Sequence, residues 1–123
     1  LNLNSCRQVT DAGLVHLKGL TNLKELHLYG TEVTDAGLVH IKGLTELKTL
    51  KLSEQITDAG LVHLKELTKL KHLNLRSTQI TDAGLAHLKG LTNLYTLVFS
   101  NTKTTDAGVA ELQKAFPDCM IIR

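Results

Sequence analysis

Two periods of apolar residues alternate along the chain. Leu26 and Leu28 are separated by a single polar residue, and this period of two predicts a short strand with one apolar face. Leu38, Ile41 and Leu44 follow at intervals of three, as on one face of a short helix. The pattern therefore predicts a strand followed by a helix.

The strand–helix pattern returns at a fixed interval. The tetrapeptide Thr-Asp-Ala-Gly begins at residues 10, 34, 57, 81 and 105, at intervals of 24, 23, 24 and 24 residues. Such a period predicts a solenoid, because one unit cannot bury its apolar face alone and must stack on its neighbours. We predict one domain over residues 1–123, with repeats at about 1–22, 23–46, 47–69, 70–93 and 94–116 and a C-terminal cap at 117–123.

Each helix is predicted to begin at the Thr of the tetrapeptide. Thr is a favourable N-cap residue, and the Asp after it places negative charge near the positive end of its own helix. Gly19, Gly43 and Gly90 stand where a left-handed C-cap residue is expected. This interpretation gives the Asp residues at 11, 35, 58, 82 and 106 a structural role rather than a catalytic or calcium-binding one.

The repeated unit reads Leu-x-x-Leu-x-Leu-x-x-(Thr/Cys)-x-(Ile/Val)-Thr-Asp-Ala-Gly-Leu and resembles a leucine-rich repeat. The segment around Cys6 is most similar to the cysteine-containing subtype, and the Thr-rich units resemble repeats abundant in planctomycetes. The resemblance implies an α/β fold: a right-handed horseshoe segment with a parallel sheet on the concave face and short helices on the convex face. It also implies that the concave face binds protein.

The third repeat departs from this pattern. The segment from Leu52 to Ile56 is one residue short and lacks the Thr found at positions 31, 78 and 102. The resemblance implies that this Thr bonds buried turn backbone and forms a ladder between repeats. We therefore expect a local defect in that ladder at Glu54.

The outward positions of the strands differ from repeat to repeat, whereas the core and turn positions follow one pattern. This variation, together with the resemblance, predicts a protein-binding or peptide-binding surface. Tyr29 and Arg76 are the preferred anchors, because aromatic residues and Arg dominate binding hot spots. The full set is Glu25, His27, Tyr29, Thr49, Lys51, Ser53, His72, Asn74, Arg76, Thr96, Val98 and Ser100.

The predicted function is a non-catalytic scaffold for protein–protein interaction. Two alternatives stay open: the substrate-receptor module of an F-box-type ubiquitin ligase, and a purely structural spacer. Ser53, His27 and Glu25 resemble a catalytic triad only in composition. Diagonal neighbours on a sheet lie about 7–8 Å apart, whereas a nucleophile and its base need about 2.6–3.2 Å.

Charge and composition favour neither nucleic acid nor membrane as a partner. The 123 residues carry a net charge of +2, and no apolar run is long enough to cross a bilayer. Lys residues at 18, 42, 65 and 89 complement helix C-termini. His residues at 16, 40, 63 and 87 are expected on the outer helical surface, too far apart for a metal site, and no cofactor is predicted.

The two ends of the chain differ. Leu1 falls within a predicted strand, so we expect missing upstream repeats and an uncapped N-terminal edge through which copies can self-associate. At the other end, residues 119–122 predict a final strand after Pro117. Cys6 and Cys119 are too distant for a disulfide, and we expect both to be reduced and buried. They favour the cytoplasm, and no signal peptide is visible within these residues.

Overall fold

The computed structural model describes residues 1–123 and shows an α/β solenoid, as the repeat predicts. One parallel sheet runs along it in the order β1-β2-β3-β4-β5, without a crossover between non-adjacent strands. The strands are β1 Glu25–His27, β2 Thr49–Lys51, β3 His72–Asn74, β4 Thr96–Val98 and β5 Met120–Ile122. The first repeat has an isolated bridge between Asn2 and His27 in place of the predicted strand, with a further backbone bond from Ser5 N–H to Tyr29.

The other side of the solenoid consists of four-residue helices in the first four repeats and of a ten-residue helix in the fifth. The helices are α1 Asp11–Leu14, α2 Asp35–Leu38, α3 Asp58–Leu61, α4 Asp82–Leu85 and α5 Asp106–Ala115. Three of them continue as 3-10 turns, at Val15–Leu17, Val62–Leu64 and Ala86–Leu88. None of the helices has the length and apolar character needed to cross a membrane.

The prediction of glycine C-caps is wrong. Gly30 is the one glycine with a positive φ, 75°, and it lies in a strand-side turn rather than after a helix. Gly19, Gly43 and Gly90 follow tight 3-10 or turn segments and do not adopt the left-handed conformation. The helices end in short 3-10 bonds instead, which satisfy terminal carbonyls without a left-handed residue.

The core is one continuous stack of apolar side chains between sheet and helices. Its members include the central Leu of each inner strand, at 26, 50, 73 and 97, all at most 1% exposed. The residue before Thr-Asp-Ala-Gly also enters it in three repeats, with Val33, Ile56 and Ile80 fully buried. Because every repeat adds its layer to its neighbours' layers, the core has no boundary within the chain.

The C-terminal segment forms the predicted last strand. Helix α5 ends at Ala115, next to Phe116 and Pro117, because the residue before a proline is disfavoured in helical conformation. Gln113 Nε2 donates to the carbonyls of Phe116 and Cys119, at 2.8 and 3.3 Å, and fixes the turn into β5. Cys119 is buried as predicted, and this burial raises the pKa of its thiol. Cys6, in contrast, is exposed, which corrects the expectation that both cysteines are buried.

A carboxylate–threonine bond joins each repeat to the next. Thr34 N–H donates to Asp11 Oδ1 at 2.7 Å, and Thr34 Oγ–H donates to Asp11 Oδ2 at 2.6 Å. The same two bonds link Asp35 to Thr57, Asp58 to Thr81 and Asp82 to Thr105. The Asp residues are structural, as predicted, but they serve the following repeat rather than only their own helix.

The Thr of each pair also belongs to a helix start. Thr57 and Thr81 accept a bond from the N–H two residues later, at 3.3 Å each, and Thr105 from Gly108 N–H at 3.2 Å. Thr10 and Thr34 cap no N–H. The predicted side-chain cap is therefore present in the last three repeats and absent from the first two.

The Gly of the tetrapeptide makes room for this carboxylate. A Cβ at Gly37, Gly60, Gly84 or Gly108 would overlap the Asp side chain of the preceding repeat. A Cβ at Gly13 would meet nothing within 4 Å, because no preceding repeat lies against it in the described chain. Stacking therefore fixes three of the four tetrapeptide residues: Thr and Asp form the bond, and Gly admits it.

Replacing Gly60 by Ala should destabilise the protein by about 1–3 kcal/mol, because the new methyl displaces the bonded carboxylate of Asp35. The matched control is Gly13→Ala, in the same tetrapeptide but facing open space, which should be neutral or stabilising by up to about 1 kcal/mol. Urea denaturation of both variants measures the difference. Equal effects at the two positions would show that the close approach is absent in solution.

The ladder should also give an acid dependence. Hydrogen bonds from the Thr105 side chain and backbone lower the pKa of Asp82 below its usual value. A lowered folded-state pKa stabilises the protein above the unfolded-state pKa, about 3.9, and this stabilisation is lost as the pH falls through the folded value. Melting temperatures between neutral and strongly acidic pH should therefore fall more steeply below about pH 4 for the wild type than for Asp82→Asn. If the melting temperatures of the two proteins fell in parallel with pH, the bond between Asp82 and Thr105 would be contradicted.

Candidate functional site on the concave face

The strand register places the predicted residues in rows across the concave face. One row contains Glu25, Thr49, His72 and Thr96, and the next contains His27, Lys51, Asn74 and Val98. Parallel strands in register align equivalent positions, and the central Leu of each strand points to the opposite, buried side. The period of two therefore predicted the orientation of both rows correctly.

Strand β5 extends both rows with apolar residues that sequence analysis missed. Met120 pairs with Thr96, and Ile122 pairs with Val98. Met120 and Ile122 are 58% and 41% exposed, and Tyr95 beside them is 63% exposed. The alternation within residues 119–122 could have identified these two residues, but the sequence analysis treats this predicted strand as a cap and not as part of the binding face.

The third row contains Tyr29, Arg76 and Ser100, but not Ser53. Arg76 is exposed, and Tyr29 and Ser100 are half-buried. Ser53 has no exposed surface, and its Oγ–H donates to the carbonyl of Val33. The assignment of Ser53 to the binding surface is therefore wrong. The same bond occupies the hydroxyl that a triad with His27 would need.

The shortened turn explains why Ser53 points inward. The other repeats carry a left-handed residue in this turn: Ser5, Gly30, Ser77 and Asn101, with φ between 59° and 75°. The third repeat lacks that residue, so its chain passes directly from Ser53 to Glu54. An alignment from the strand places Ser53 beside Tyr29, whereas the fold turns it into the interior.

Two side chains replace the backbone bonds that the shortened turn loses. In regular turns a backbone N–H donates to the preceding repeat, from Glu32 to Val9 at 2.9 Å, from Gln79 to Ile56 at 2.8 Å and from Lys103 to Ile80 at 3.0 Å. In the third repeat the Ser53 hydroxyl, rather than a backbone N–H, donates to the equivalent carbonyl, that of Val33. Likewise, Gly30 N–H donates to the side chain of Glu54, at 3.1 Å from Oε2. The backbone N–H groups of Ser5 and Ser77, at the same turn position in other repeats, donate to backbone carbonyls instead.

The expected defect at Glu54 is thus a replacement of backbone bonds by side-chain bonds. The recurring Thr hydroxyls bond turn backbone, as expected, but they do not form the ladder between repeats. They donate to a carbonyl of their own repeat, Thr31 to Leu28 and Thr78 to Leu75 at 2.7 Å each, and Thr102 to Phe99 at 2.9 Å. The ladder between repeats is formed by backbone N–H groups and by the Asp–Thr pairs instead.

The middle of the face is electrostatically uneven. Burial, followed by the nearby positive charge of Lys51, lowers the pKa of His27, and neither ring nitrogen of His27 has a hydrogen-bond partner. His72 packs edge-on against Tyr95, with ring centroids 6.0 Å apart. Toward β4 a depression of about 180 Å³ lies over His72, Asn74 and Val98. The face therefore offers cationic and polar groups in its centre and apolar groups toward β5.

The helical side carries the repeated charges. The Lys residues at 18, 42, 65 and 89 are all exposed there, and the His residues at 16, 40, 63 and 87 are exposed or half-buried. No three His, Cys, Asp or Glu side chains lie close enough together to share a metal ion. The repeat thus places these His residues at equivalent positions of successive units, but their side chains do not meet at one point.

Family models match two stretches that together cover more than half of the chain. Residues 45–87 match a model of leucine-rich repeats in two copies, and residues 19–41 match a model of a single leucine-rich repeat. The chain is a leucine-rich repeat protein. Such domains generally mediate protein–protein interaction.

Solved leucine-rich repeat structures share this fold. A protein of Leptospira interrogans is 24% identical, with a TM-score of 0.68 over 89% of this chain and 27% of its own. Internalin C2 of Listeria monocytogenes is 27% identical, with a TM-score of 0.69 over 87% and 44%. The receptor-kinase ectodomain of Arabidopsis thaliana is 23% identical, with a TM-score of 0.60 over 88% and 59%.

This leucine-rich repeat chain spans less than two thirds of each of these structures. A search of curated proteins finds no match to it.

Replacing Ser53 by Ala should destabilise the protein by about 1–3 kcal/mol, because the Val33 carbonyl would lose its donor in a buried place. Ser100→Ala is the matched control: Ser100 occupies the equivalent strand-end position but donates no side-chain bond, so the change should stay within about 0.5 kcal/mol. Guanidinium denaturation compares the two. A neutral Ser53→Ala would mean that the turn satisfies Val33 by another route.

Proposed function

We propose that this leucine-rich repeat protein is a non-catalytic scaffold that binds a protein or peptide partner through the concave face of its sheet. The observation that carries the proposal is the contrast between the two sides. The helical side repeats Thr-Asp-Ala-Gly, His and Lys, and stacking accounts for the tetrapeptide. The concave rows change in size, charge and polarity from strand to strand, and the fold does not constrain them.

The chemistry of the face supports selective recognition. Tyr29 and Arg76 can fill or cap partner pockets, as aromatic and Arg side chains do at hot spots. His72 and Tyr95 form an edge-on aromatic pair, and Met120 and Ile122 add apolar contact area. A partner with both acidic and apolar residues would match this order along the sheet.

The size of the face limits the affinity of this stretch of chain. Five strands at about 4.8 Å spacing span about 24 Å, and three residues per strand cover about 10 Å. The resulting few hundred Å² is below the roughly 800 Å² per partner of a standard interface. We infer that these repeats bind an extended peptide segment, or contribute one part of a larger interface.

Neither alternative gains support from the comparisons. A ubiquitin-ligase receptor requires an F-box, and the matched models describe repeats only. A structural spacer remains distinguishable by experiment, because for a spacer no concave substitution should change any interaction.

The test uses two variants with unchanged cores and any partner recovered by pull-down and then purified. Tyr29→Ala combined with Arg76→Ala should weaken binding by about 2 kcal/mol or more in calorimetry, as hot-spot truncation does. Changing Lys18, Lys42, Lys65 and Lys89 to Gln should change little except the salt dependence. The reverse result would place the interface on the helical side and overturn the proposal.

A further inference from the structure

The shortened turn of the third repeat leaves a cleft in the concave face. With Ser53 turned inward and the Glu54 carboxylate bonded to Gly30 N–H, neither of these side chains lines the space between Tyr29 and Arg76. The cleft has a volume of about 140 Å³ and is lined by Asn4, Tyr29, Lys51, Asn74 and Arg76. Small-molecule sites usually measure about 300–1,000 Å³, so this cleft suits a single functional group rather than a whole ligand.

The two amides in the cleft present their donor ends. Asn4 Oδ1 accepts from Tyr29 N–H at 3.0 Å, and Asn74 Oδ1 accepts from Arg76 N–H at 2.9 Å. A backbone N–H can bond only the oxygen of an amide side chain, so these bonds fix both orientations. Each Nδ2 is therefore the end that remains to bond a ligand.

The charges of the cleft have the same sign. Lys51 and Arg76 line it, and the ion pairs of the structure involve Lys69, Lys114 and Arg123 instead. No carboxylate lines it, and the nearby Glu54 carboxylate is bonded to Gly30 N–H. The five lining residues thus carry an ammonium, a guanidinium, two amide N–H₂ groups and a phenol hydroxyl, and every one of these groups can donate.

We propose that this cleft is a carboxylate-binding subsite that receives an Asp or Glu side chain of the protein partner. Arg bonds a carboxylate through two parallel N–H donors, and Lys51 neutralises its charge from the adjacent strand. The inference rests on the proposed concave-face function and adds to it the chemistry of the residue recognised.

The experiment measures fluorescence anisotropy of labelled hexaglutamate at low salt, with labelled hexaglutamine as the uncharged comparison. Lys51→Gln combined with Arg76→Gln should weaken hexaglutamate binding by at least about tenfold, because charge-assisted bonds are lost. Lys42→Gln combined with Lys89→Gln, on the helical side, removes the same charge and should weaken it less than about twofold. Equal losses in the two variants would mean diffuse attraction and overturn the subsite.

Nuclear magnetic resonance with glutarate locates the carboxylate. The Arg76 Nε–H and the Asn4 and Asn74 side-chain amides should shift on titration, and the Lys51→Gln, Arg76→Gln variant should abolish the shifts. Unmoved amides would contradict the geometry. Inorganic phosphate displacing glutarate at equal concentration would show an unselective anion site and overturn the assignment to a carboxylate.

The two proposals fail separately. If hexaglutamate does not bind while a purified partner still requires His72, the subsite falls and the concave function stands. If hexaglutamate binds as expected while the partner requires only the helical Lys residues, the concave function falls.

Discussion

The structure depends on one interaction, the paired hydrogen bonds between the Asp of one repeat and the Thr of the next. Both carboxylate oxygens are occupied, and three of the Thr hydroxyls also accept from a helix N–H. Donating and accepting through one hydroxyl strengthens both bonds. Since the bond needs Thr, Asp and a Gly without Cβ, it fixes three of the four tetrapeptide residues, and it forms at separations of both 22 and 23 residues. The strand surface is left free to vary.

The fold could be predicted because its signals are periodic. An interval of about 24 residues, a strand period of two and a helical spacing of three all lie within one unit. The partner of each Asp could not be predicted in this way, because position 35 is equivalent to position 58 in any alignment. The sequence shows that Asp recurs at both positions. It does not show that Asp35 bonds Thr57 of the next repeat rather than the start of its own helix.

The candidate site was predictable to the extent that it follows the same period. Two rows were placed correctly because parallel strands in register align equivalent positions. The third row failed at Ser53, where a missing residue makes the alignment ambiguous and the hydroxyl finds a buried carbonyl. Met120 and Ile122 were missed because a terminal strand without a following helix was interpreted as a cap alone. The errors thus lie where repetition stops.

The shortened turn has a consequence for how such a chain can evolve. Units joined by Asp–Thr pairs and regular backbone bonds are interchangeable, because each presents the same bonds to whichever unit follows. The second and third units are different, since Ser53 and Glu54 bond Val33 and Gly30 of the unit before them. Recombination that separates these two units would break bonds that neither makes with another neighbour. They form a linked pair within an otherwise exchangeable array, whereas the cleft also needs Asn4 of the first unit and Asn74 and Arg76 of the fourth.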